Sequence, residues 1–328
     1  MVTNTDFIQK IRTYQFMLPP LSGYTDYPFR KILAAFSPSC TITEMVNARA
    51  ILEKNKKTEQ ILQIEEGKHL KGSQLVGNNQ YEMANAAEIL EQKGFDFIDI
   101  NMGCTVKKVV KKGQGVALMK DEQLAYAIVQ KVVNNISLPV TVKLRTGFSD
   151  INKNILSLAQ QLEAAGATAL IIHGRSGNKK FGSFVDYDQI AKVKRSVSIP
   201  IIANGGINGD NVKEILKMTH ADAVMPGRAL IGNPWIISEF FHRFHNKNFQ
   251  KPSLLDRKKI SLEHVKYQCQ FYGEKMGIIR SRKSIPKYFS SMINSTQFKS
   301  DVLQVSSYDH MKELIEKIYE LQGMILYS

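Results

Sequence analysis

The sequence predicts an α/β protein in which a (β/α)8 barrel is followed by a small all-helical domain. Two observations predict it. Up to about residue 240, short apolar runs alternate with amphipathic segments at intervals of roughly 25–35 residues, as repeated β-α units do. Beyond that point the strand-like runs stop and only helical periodicity remains. We therefore expect a barrel over residues 1–244 and a helical domain over residues 245–328.

Eight apolar runs are the predicted strands, and amphipathic segments follow most of them. Right-handed crossovers between so many β-α units favour a closed barrel, with a doubly wound sheet as the alternative. The predicted strands cover residues 16–18, 41–45, 73–76, 97–101, 140–144, 169–173, 201–204 and 223–225. The predicted helices cover residues 27–36, 80–92, 121–134, 152–164, 187–197 and 210–218, then 260–276, 282–292 and 307–325 beyond the barrel.

Polar residues and glycines follow the apolar part of seven predicted strands. Because the carboxyl ends of parallel strands meet at one rim of a barrel, we expect these residues to surround a single site. Taken alone, a lysine or histidine in such a position is equally well explained as a structural residue. The strand-end residues include Pro19, Pro20, Leu21, Gln74, Asn101, Cys104, Lys143, Arg145, His173 and Arg175.

Two glycine-containing segments predict a phosphate site at the same rim. Asn204-Gly205-Gly206 and Gly227-Arg228 follow the seventh and eighth predicted strands, where barrels commonly bind phosphate through backbone N–H groups. Glycine lets the backbone approach the phosphate oxygens, and Arg228 can add a charge-assisted hydrogen bond. The sequence has no GxGxxG or GxxxxGK[ST] segment, which argues against Rossmann and P-loop nucleotide binding.

The composition, with 43% hydrophobic and 23% charged residues, is that of an ordinary soluble protein. No apolar run approaches the length of a membrane span and no signal-peptide pattern is present, so we expect a cytoplasmic protein without a membrane partner. The three cysteines, Cys40, Cys104 and Cys269, form no CxxC pair, and neither a disulfide framework nor a metal site is indicated. Cys104, at the end of a predicted strand, is the candidate reactive group.

The net charge of +14 predicts a polyanionic partner. Residues 243–299 contain 13 Lys and Arg against 3 Asp and Glu, a net charge of +10. A solvated basic face kept for solubility is the alternative. The aromatic residues of this region are expected mainly in its core, and the lysines and arginines are the candidates for phosphate contacts.

Seven blocks of the sequence resemble the tRNA-dihydrouridine synthases, most of all the bacterial B-type group. Their order, spacing and identity agree across the barrel, whereas the match at Tyr272-Gly-Glu and Arg282-Lys283 is looser. The blocks are LPPLSGYTDYPFR (residues 18–30), QLVG (74–77), DINMGC (99–104), VKLR (142–145), HGRS (173–176), NGG (204–206) and GRALIGNP (227–234).

The resemblance implies a flavin-dependent barrel with a helical tRNA-binding domain, which reduces the C5–C6 double bond of uridine in tRNA. It implies bound FMN, with NADPH or NADH as transient reductant. The implied cofactor contacts are the backbone of Pro19, Pro20 and Leu21 against the ring, Gln74 at its edge, Lys143 near N1–C2, His173 on the same side, and Asn204, Gly205, Gly206, Gly227 and Arg228 at the phosphate.

The resemblance also implies the roles of the substrate residues. Hydride passes from FMN N5 to uracil C6, and Cys104 donates the proton to C5 as a neutral thiol. Asn101 holds the uracil edge, and Arg175 lines the same site. Because Lys107, Lys108, Lys111 and Lys112 could lower the thiol pKa if they lay close, we expect them to face tRNA phosphates instead. Thr105 stands where the family usually has proline, which leaves the order of this loop open.

A uracil stacked within folded tRNA has to be turned out to reach a barrel floor, and phosphate contacts have to offset that cost. We expect a protein that is monomeric when free. The alternatives are an FMN barrel that reduces a small free pyrimidine or enone, a non-catalytic tRNA-binding protein on the same fold and, more remotely, a phosphate-binding isomerase or aldolase. The sequence does not indicate which uridine is reduced.

Overall fold

The structure is a computed structural model that describes residues 2–179, 182, 184–290 and 292–326. Its strands form one parallel sheet in the spatial order β1-β3-β4-β5-β6-β7-β8, with β2 also paired to β3. This sheet curls into the predicted (β/α)8 barrel. The strands are β1 (Cys40–Ile42), β2 (Val46–Asn47), β3 (Leu70–Val76), β4 (Phe97–Asn101), β5 (Val140–Arg145), β6 (Ala169–His173), β7 (Ile201–Asn204) and β8 (Ala223–Met225).

The prediction of a first strand over residues 16–18 is wrong. This segment makes a single parallel bridge, between Phe16 and Val224, and so closes the barrel against β8. The Met17 N–H donates to the Val224 carbonyl over 2.9 Å, and on the other side Ser39 Oγ donates to the Phe16 carbonyl. The ladder cannot continue because Pro19 and Pro20 have no N–H to donate.

The predicted strand over residues 41–45 is interrupted. Cys40 pairs with Leu70, an offset of 30 residues, whereas Val46 pairs with Leu75, an offset of 29. One extra residue therefore lies between β1 and β2, which is a β-bulge. Within this segment, the Glu44 carboxylate accepts a hydrogen bond of 2.5 Å from the Gly23 N–H.

The six helices predicted within the barrel are present, and each of their ends lies within three residues of the predicted position. Five helices were not predicted: one at the amino terminus, two short ones after β2, a short one after β4 and the last one, after β8. The helices are α1 (Asn4–Tyr14), α2 (Tyr27–Ala34), α3 (Ala48–Leu52), α4 (Lys56–Ile61), α5 (Gln80–Gln92), α6 (Lys107–Val110), α7 (Glu122–Asn135), α8 (Ile155–Ala164), α9 (Tyr187–Ser196), α10 (Val212–Thr219) and α11 (Ile236–Phe244).

Helix α1 packs against the apolar residues inside the barrel. Its buried Phe7 and Ile11 join a cluster with inward-facing strand residues, and the Phe7 ring lies 5.0 Å from that of Phe97. The capping box between Thr3 and Asp6 starts this helix. Since successive strand residues point to opposite faces, Asp99 and Asn101 face the interior with Phe97, above this apolar layer.

Four helices follow the barrel: α12 (Leu254–Tyr272), α13 (Glu274–Tyr288), α14 (Ser295–Gln304) and α15 (Tyr308–Leu326). The first predicted helix here ends early because Gly273, at φ +77°, breaks it, and α14 was not predicted. The four helices share a core that includes the fully buried Tyr288 and Phe289, whereas Tyr267, Phe271 and Tyr272 are only half-buried, so the expectation of core positions holds for part of the aromatic residues. They rest on the barrel where the His264 ring stacks on Phe29 at 5.0 Å. Among the described residues, no helix is long and apolar enough to cross a membrane.

Candidate active site at the carboxyl ends of the strands

A cavity of about 850 Å³ opens at the carboxyl ends of the barrel strands. That volume lies within the range of about 300–1,000 Å³ that is usual for cofactor and ligand sites. The structure brings fourteen of the sixteen predicted site residues into its lining: Pro19, Pro20, Leu21, Gln74, Asn101, Cys104, Lys143, His173, Arg175, Asn204, Gly205, Gly206, Gly227 and Arg228. The other two, Lys107 and Lys108, are exposed on α6, outside this cavity.

A chain of hydrogen bonds runs along the cavity floor from β5 to β3 and β4. Asp99 is fully buried and accepts from Thr141 Oγ1 and from Gln74 Nε2, each over 2.6 Å. Asn101 Nδ2 donates to Gln74 Oε1 over 2.8 Å. Because a carboxylate only accepts, Asp99 fixes which end of the Gln74 amide is the donor, and Gln74 in turn orients Asn101.

Asn101 also shapes the loop that carries Cys104. Its Oδ1 accepts from the backbone N–H groups of Gly103, over 3.2 Å, and Cys104, over 2.9 Å. The loop folds back on itself, since the Val116 N–H donates to the Cys104 carbonyl over 3.0 Å. Gly115 allows this approach, because a Cβ there would lie 2.7 Å from that carbonyl oxygen. The Cys104 side chain is thereby held half-buried at the cavity wall.

Lys143 and Asn204 form a second fixed pair in the cavity. Lys143 Nζ donates to Asn204 Oδ1 over 3.0 Å, and Asn204 Nδ2 donates to the Met225 carbonyl over 2.7 Å. Burial lowers the pKa of Lys143, and the negative charge of Asp99 opposes that shift. Burial likewise raises the pKa of Asp99. The cavity thus contains an ammonium group that loses its proton more readily than a free lysine does.

His173 enters the cavity as a neutral ring. Burial, together with the charges of Lys143, Arg145 and Arg175, lowers the pKa of His173 to about 2. Its Nε2 lies 3.2 Å from Arg175 Nη1, so the guanidinium donates and the imidazole accepts. The remaining ring proton is then on Nδ1. The same His173 ring leaves no room for a Cβ on Gly205, which lies at φ +121°.

Arg145, a strand-end residue without a predicted role, connects two loops of the rim. Its Nε donates to the Gly103 carbonyl over 2.8 Å and its Nη1 to the Ser176 carbonyl over 2.9 Å. The side chain is 6% exposed and lines the cavity. Arg145 therefore holds the Cys104 loop against the loop that follows β6.

The helices beyond the barrel add Lys287 to the cavity lining, which the sequence did not predict. Helix α13 lies close to the barrel because Gly232, at φ +67°, has no Cβ; one there would lie 2.5 Å from the Lys287 carbonyl carbon. One turn earlier, Lys283 Nζ lies 3.7 Å from where a Cβ of Gly23 would be. Helical spacing alone did not indicate that Lys287 lines the cavity or that Lys283 lies beside Gly23.

Arg282 differs from its neighbour Lys283. Its guanidinium donates through Nε, over 3.1 Å, and through Nη2 to the Val305 carbonyl. The side chain thus joins α13 to the segment between α14 and α15. Although the sequence places Arg282 among the candidates for phosphate contact, the structure assigns it a structural contact.

A parallel barrel whose polar, cationic cavity opens at the carboxyl ends of its strands belongs to the class of (β/α)8-barrel enzymes. The chain is a member of the dihydrouridine synthase family, since the family model described as "Dihydrouridine synthase (Dus)" matches residues 17–322. The protein is therefore an oxidoreductase of a family that acts on tRNA uridines.

Three relatives illustrate how far the similarity extends. "Probable tRNA-dihydrouridine synthase" of Rickettsia conorii is 37% identical over 306 residues, which is 92% of either chain. "tRNA-dihydrouridine synthase B" of Vibrio cholerae is 35% identical over 317 residues, covering 95% of this chain and 98% of the relative. The protein of the same name from Pasteurella multocida is 36% identical over 296 residues, covering 88% and 89%. The resemblance to the B-type group is thus confirmed.

Proposed function

We propose that the protein reduces the C5–C6 double bond of a uridine in tRNA, with NADPH as reductant. FMN is proposed to bind in the cavity of about 850 Å³ at the carboxyl ends of the strands, here called the main cavity. The observation that carries this proposal is the meeting of Cys104, Lys143 and the glycine segments at residues 204–206 and 227–228 in one cavity. NADPH and a proton are consumed, and NADP⁺ and dihydrouridine are formed. The proposal places the protein in the cytoplasm.

The residues present fit FMN. Gly205 and Gly206 have φ values of +121° and +67°, which suit glycine and leave their backbone free of a Cβ toward the cavity. Among the described residues, none comes within 4 Å of the Cβ position of Gly227, and Arg228 follows it, so this end suits a phosphate. Gln74, oriented by Asp99, suits a hydrogen bond to the ring edge. Lys143 supplies a cation for the N1–C2 region, where reduced flavin carries negative charge.

When bound, FMN in its reduced form would supply the hydride that uracil C6 accepts. Cys104 then donates the thiol proton to C5, which completes the saturation of the C5–C6 bond and leaves a thiolate that regains a proton from solvent. The backbone hydrogen bonds to Asn101 and Val116 hold this thiol at the wall of the cavity. Asn101 Nδ2 has one further N–H to offer a uracil carbonyl, since Gln74 uses the other.

We further propose that residues 245–328 form the tRNA-binding domain. The exposed Lys259, Lys283 and Lys287 lie on α12 and α13, and Lys287 reaches the mouth of the cavity. Lysines at the mouth suit the phosphates on either side of an extruded uridine, because extrusion loses stacking energy that charge neutralisation offsets. Lys107, Lys108 and Arg175 are proposed as substrate contacts on the barrel side.

The test is to anaerobically reduce the purified protein, after FMN has been supplied, and to mix it with unmodified tRNA. We expect NADPH to bleach the flavin absorbance, tRNA to restore it, and one dihydrouridine to form per flavin oxidised. Free uridine at the same concentration is the control and is expected to leave the flavin reduced. The proposal is contradicted if the protein takes up no FMN, or if tRNA does not reoxidise its reduced flavin.

A further inference from the structure

A second, smaller cavity, of about 220 Å³, lies beside the Cys104 loop. No described residue lines both cavities, but Thr105, which lines the smaller one, follows Cys104 directly. Consecutive Cα atoms are about 3.8 Å apart, so the two cavities flank one short piece of backbone. The lining consists of Thr105, Lys107, Val110, Lys111, Val116, Phe148, Gly177 and Asn178.

The walls of this cavity have the chemistry of a nucleotide subsite. Val110, Val116 and the half-buried Phe148 ring provide an apolar, aromatic surface, and Lys120 Nζ lies 3.9 Å from the centre of that ring. The Asn178 amide is held 2.8 Å from Ser176 Oγ, which orients it at the cavity. An aromatic face with one or two polar groups beside it suits a stacked base with a hydrogen-bonded edge.

The charges at this cavity suit a phosphate. Lys107 and Lys111 line it, and both side chains are exposed, one helical turn apart at the start of α6 and directly after its end. Neither lysine lines the main cavity. The two lysines are therefore available to a ligand whose base enters the small cavity while its backbone stays at the surface.

The position relative to Cys104 identifies the ligand. A polynucleotide that places its target uracil beside Cys104 carries its next nucleotide only one backbone repeat away, and extrusion of the uridine takes away the stacking partner of that neighbour. We propose that the small cavity binds the base of the nucleotide adjacent to the target uridine, stacked on Phe148 and bonded to Asn178 and Thr105. This inference rests on the proposed function and adds a recognition site to it.

The test combines a protein variant with a substrate variant. The position of the dihydrouridine that the wild-type enzyme forms in tRNA is mapped first. Phe148→Ala is then assayed on intact tRNA and on tRNA that is abasic at the nucleotide 5′ or 3′ of that position. Stacking on an aromatic side chain justifies an expected loss of about tenfold in kcat/KM for Phe148→Ala on intact tRNA. On one side of the target, the abasic substrate is expected to lose about the same factor with the wild-type enzyme. When Phe148→Ala acts on that abasic tRNA, the loss in kcat/KM is then expected to stay near tenfold rather than reach a hundredfold, because the ring and the base contact only each other.

Three controls accompany this cycle. Phe148→Tyr keeps an aromatic ring and is expected to restore activity on intact tRNA, which separates stacking from a folding defect. Lys192→Ala removes a lysine on α9 that pairs with Asp188 and is expected to change nothing. Flavin reduction by NADPH is expected to be equal in all variants, because it does not involve the neighbouring nucleotide.

Two results overturn the inference. One is a wild-type enzyme that reduces both abasic substrates as fast as intact tRNA. The other is a combined loss equal to the product of the two separate losses, which means that Phe148 and the missing base do not contact each other. A wild-type enzyme that forms no dihydrouridine in any tRNA contradicts the proposed function itself, and this inference falls with it.

Discussion

Lys143 on β5 donates a hydrogen bond of 3.0 Å to the side chain of Asn204 on β7, across the floor of the main cavity. This bond fixes the ammonium group where the proposed FMN ring would need a cation. Because burial lowers the pKa of Lys143 below the ordinary 10.5, the charge is lost at a lower pH than in a free lysine.

The first prediction follows from that shift. Protonated Lys143 favours reduced flavin, so the rate of flavin reduction by NADPH is expected to fall as the pH rises through the lowered pKa. In Lys143→Arg the cation persists across the measurable range, and the alkaline decline should disappear. Stopped-flow reduction between pH 6 and 10 measures this, with Lys192→Arg as control. An equal decline in both variants would show that another group titrates.

The second prediction concerns the proton donor. Cys104→Ala is expected to slow flavin oxidation by tRNA by about 10²–10⁴-fold, the range typical of general acid catalysis, while reduction by NADPH is unchanged. Cys269→Ser is the matched control, since that half-buried thiol lies on α12, outside the main cavity. Single-turnover mixing of prereduced enzyme with tRNA separates the two half-reactions. Retention of most of the tRNA-dependent rate in Cys104→Ala would exclude the assignment.

The third prediction distinguishes two neighbouring cations on α13. Lys283→Glu is expected to weaken tRNA binding and to reduce the salt dependence of log K by about 0.7–0.9 for each phosphate that the lysine neutralises. Arg282→Glu is expected instead to lower thermal stability, because its guanidinium holds the Val305 carbonyl. Filter binding at several salt concentrations and a melting curve measure the two effects. If both variants lose only affinity, the structural role of Arg282 is dispensable.

The fourth prediction concerns acid stability. Burial lowers the pKa of His264 to about 3. At a pH below the ordinary pKa of 6.5, the His264 ring is therefore protonated in the unfolded chain but stays neutral in the folded chain. Its contribution to the free energy of unfolding therefore falls as the pH falls from 6.5 towards 3, by about 1.4 kcal/mol per pH unit. His264→Gln is expected to lower the free energy of unfolding at pH 7.5, because the hydrogen bond with Tyr288 is removed. Between pH 6.5 and 5, however, the free energy of unfolding of this variant is expected to fall by about 2 kcal/mol less than that of the wild type.

Urea unfolding at several pH values measures this difference. His310→Gln, at an exposed position, is the control and should follow the wild-type curve. An identical acid slope in wild type and His264→Gln would mean that the ring is protonated in the folded protein.

The barrel was predictable because its signals are local. Apolar runs at regular spacing define strands β3 to β8, and each strand end displays its own polar residue. Gln74, Asn101, Lys143 and His173 could therefore be assigned to one rim from the order of the strand ends alone. The prediction of a first strand over residues 16–18 was wrong for a local reason too. Pro19 and Pro20 follow it at once, and its length of three residues left little room for a ladder.

Other features depend on contacts between distant segments. Lys287 enters the cavity only because Gly232 lets α13 approach the barrel, and these residues lie 55 positions apart in the chain. Arg282 and Lys283 are adjacent basic residues in the sequence, yet only the Arg282 side chain donates hydrogen bonds to the Val305 carbonyl, among the described residues. Asp99 was visible as part of a motif, but its action on Gln74 and Lys143 depends on the strand register.

The sequence by itself determined the barrel, its family and the residues at its rim, since strand periodicity and the order of strand ends are encoded along the chain. The tertiary structure decided which of those side chains hold one another, how burial changes the pKa of Lys143 and His173, and where the helical region overhangs the cavity. Those properties arise from distances between residues that are remote in sequence, and a linear pattern does not contain such distances.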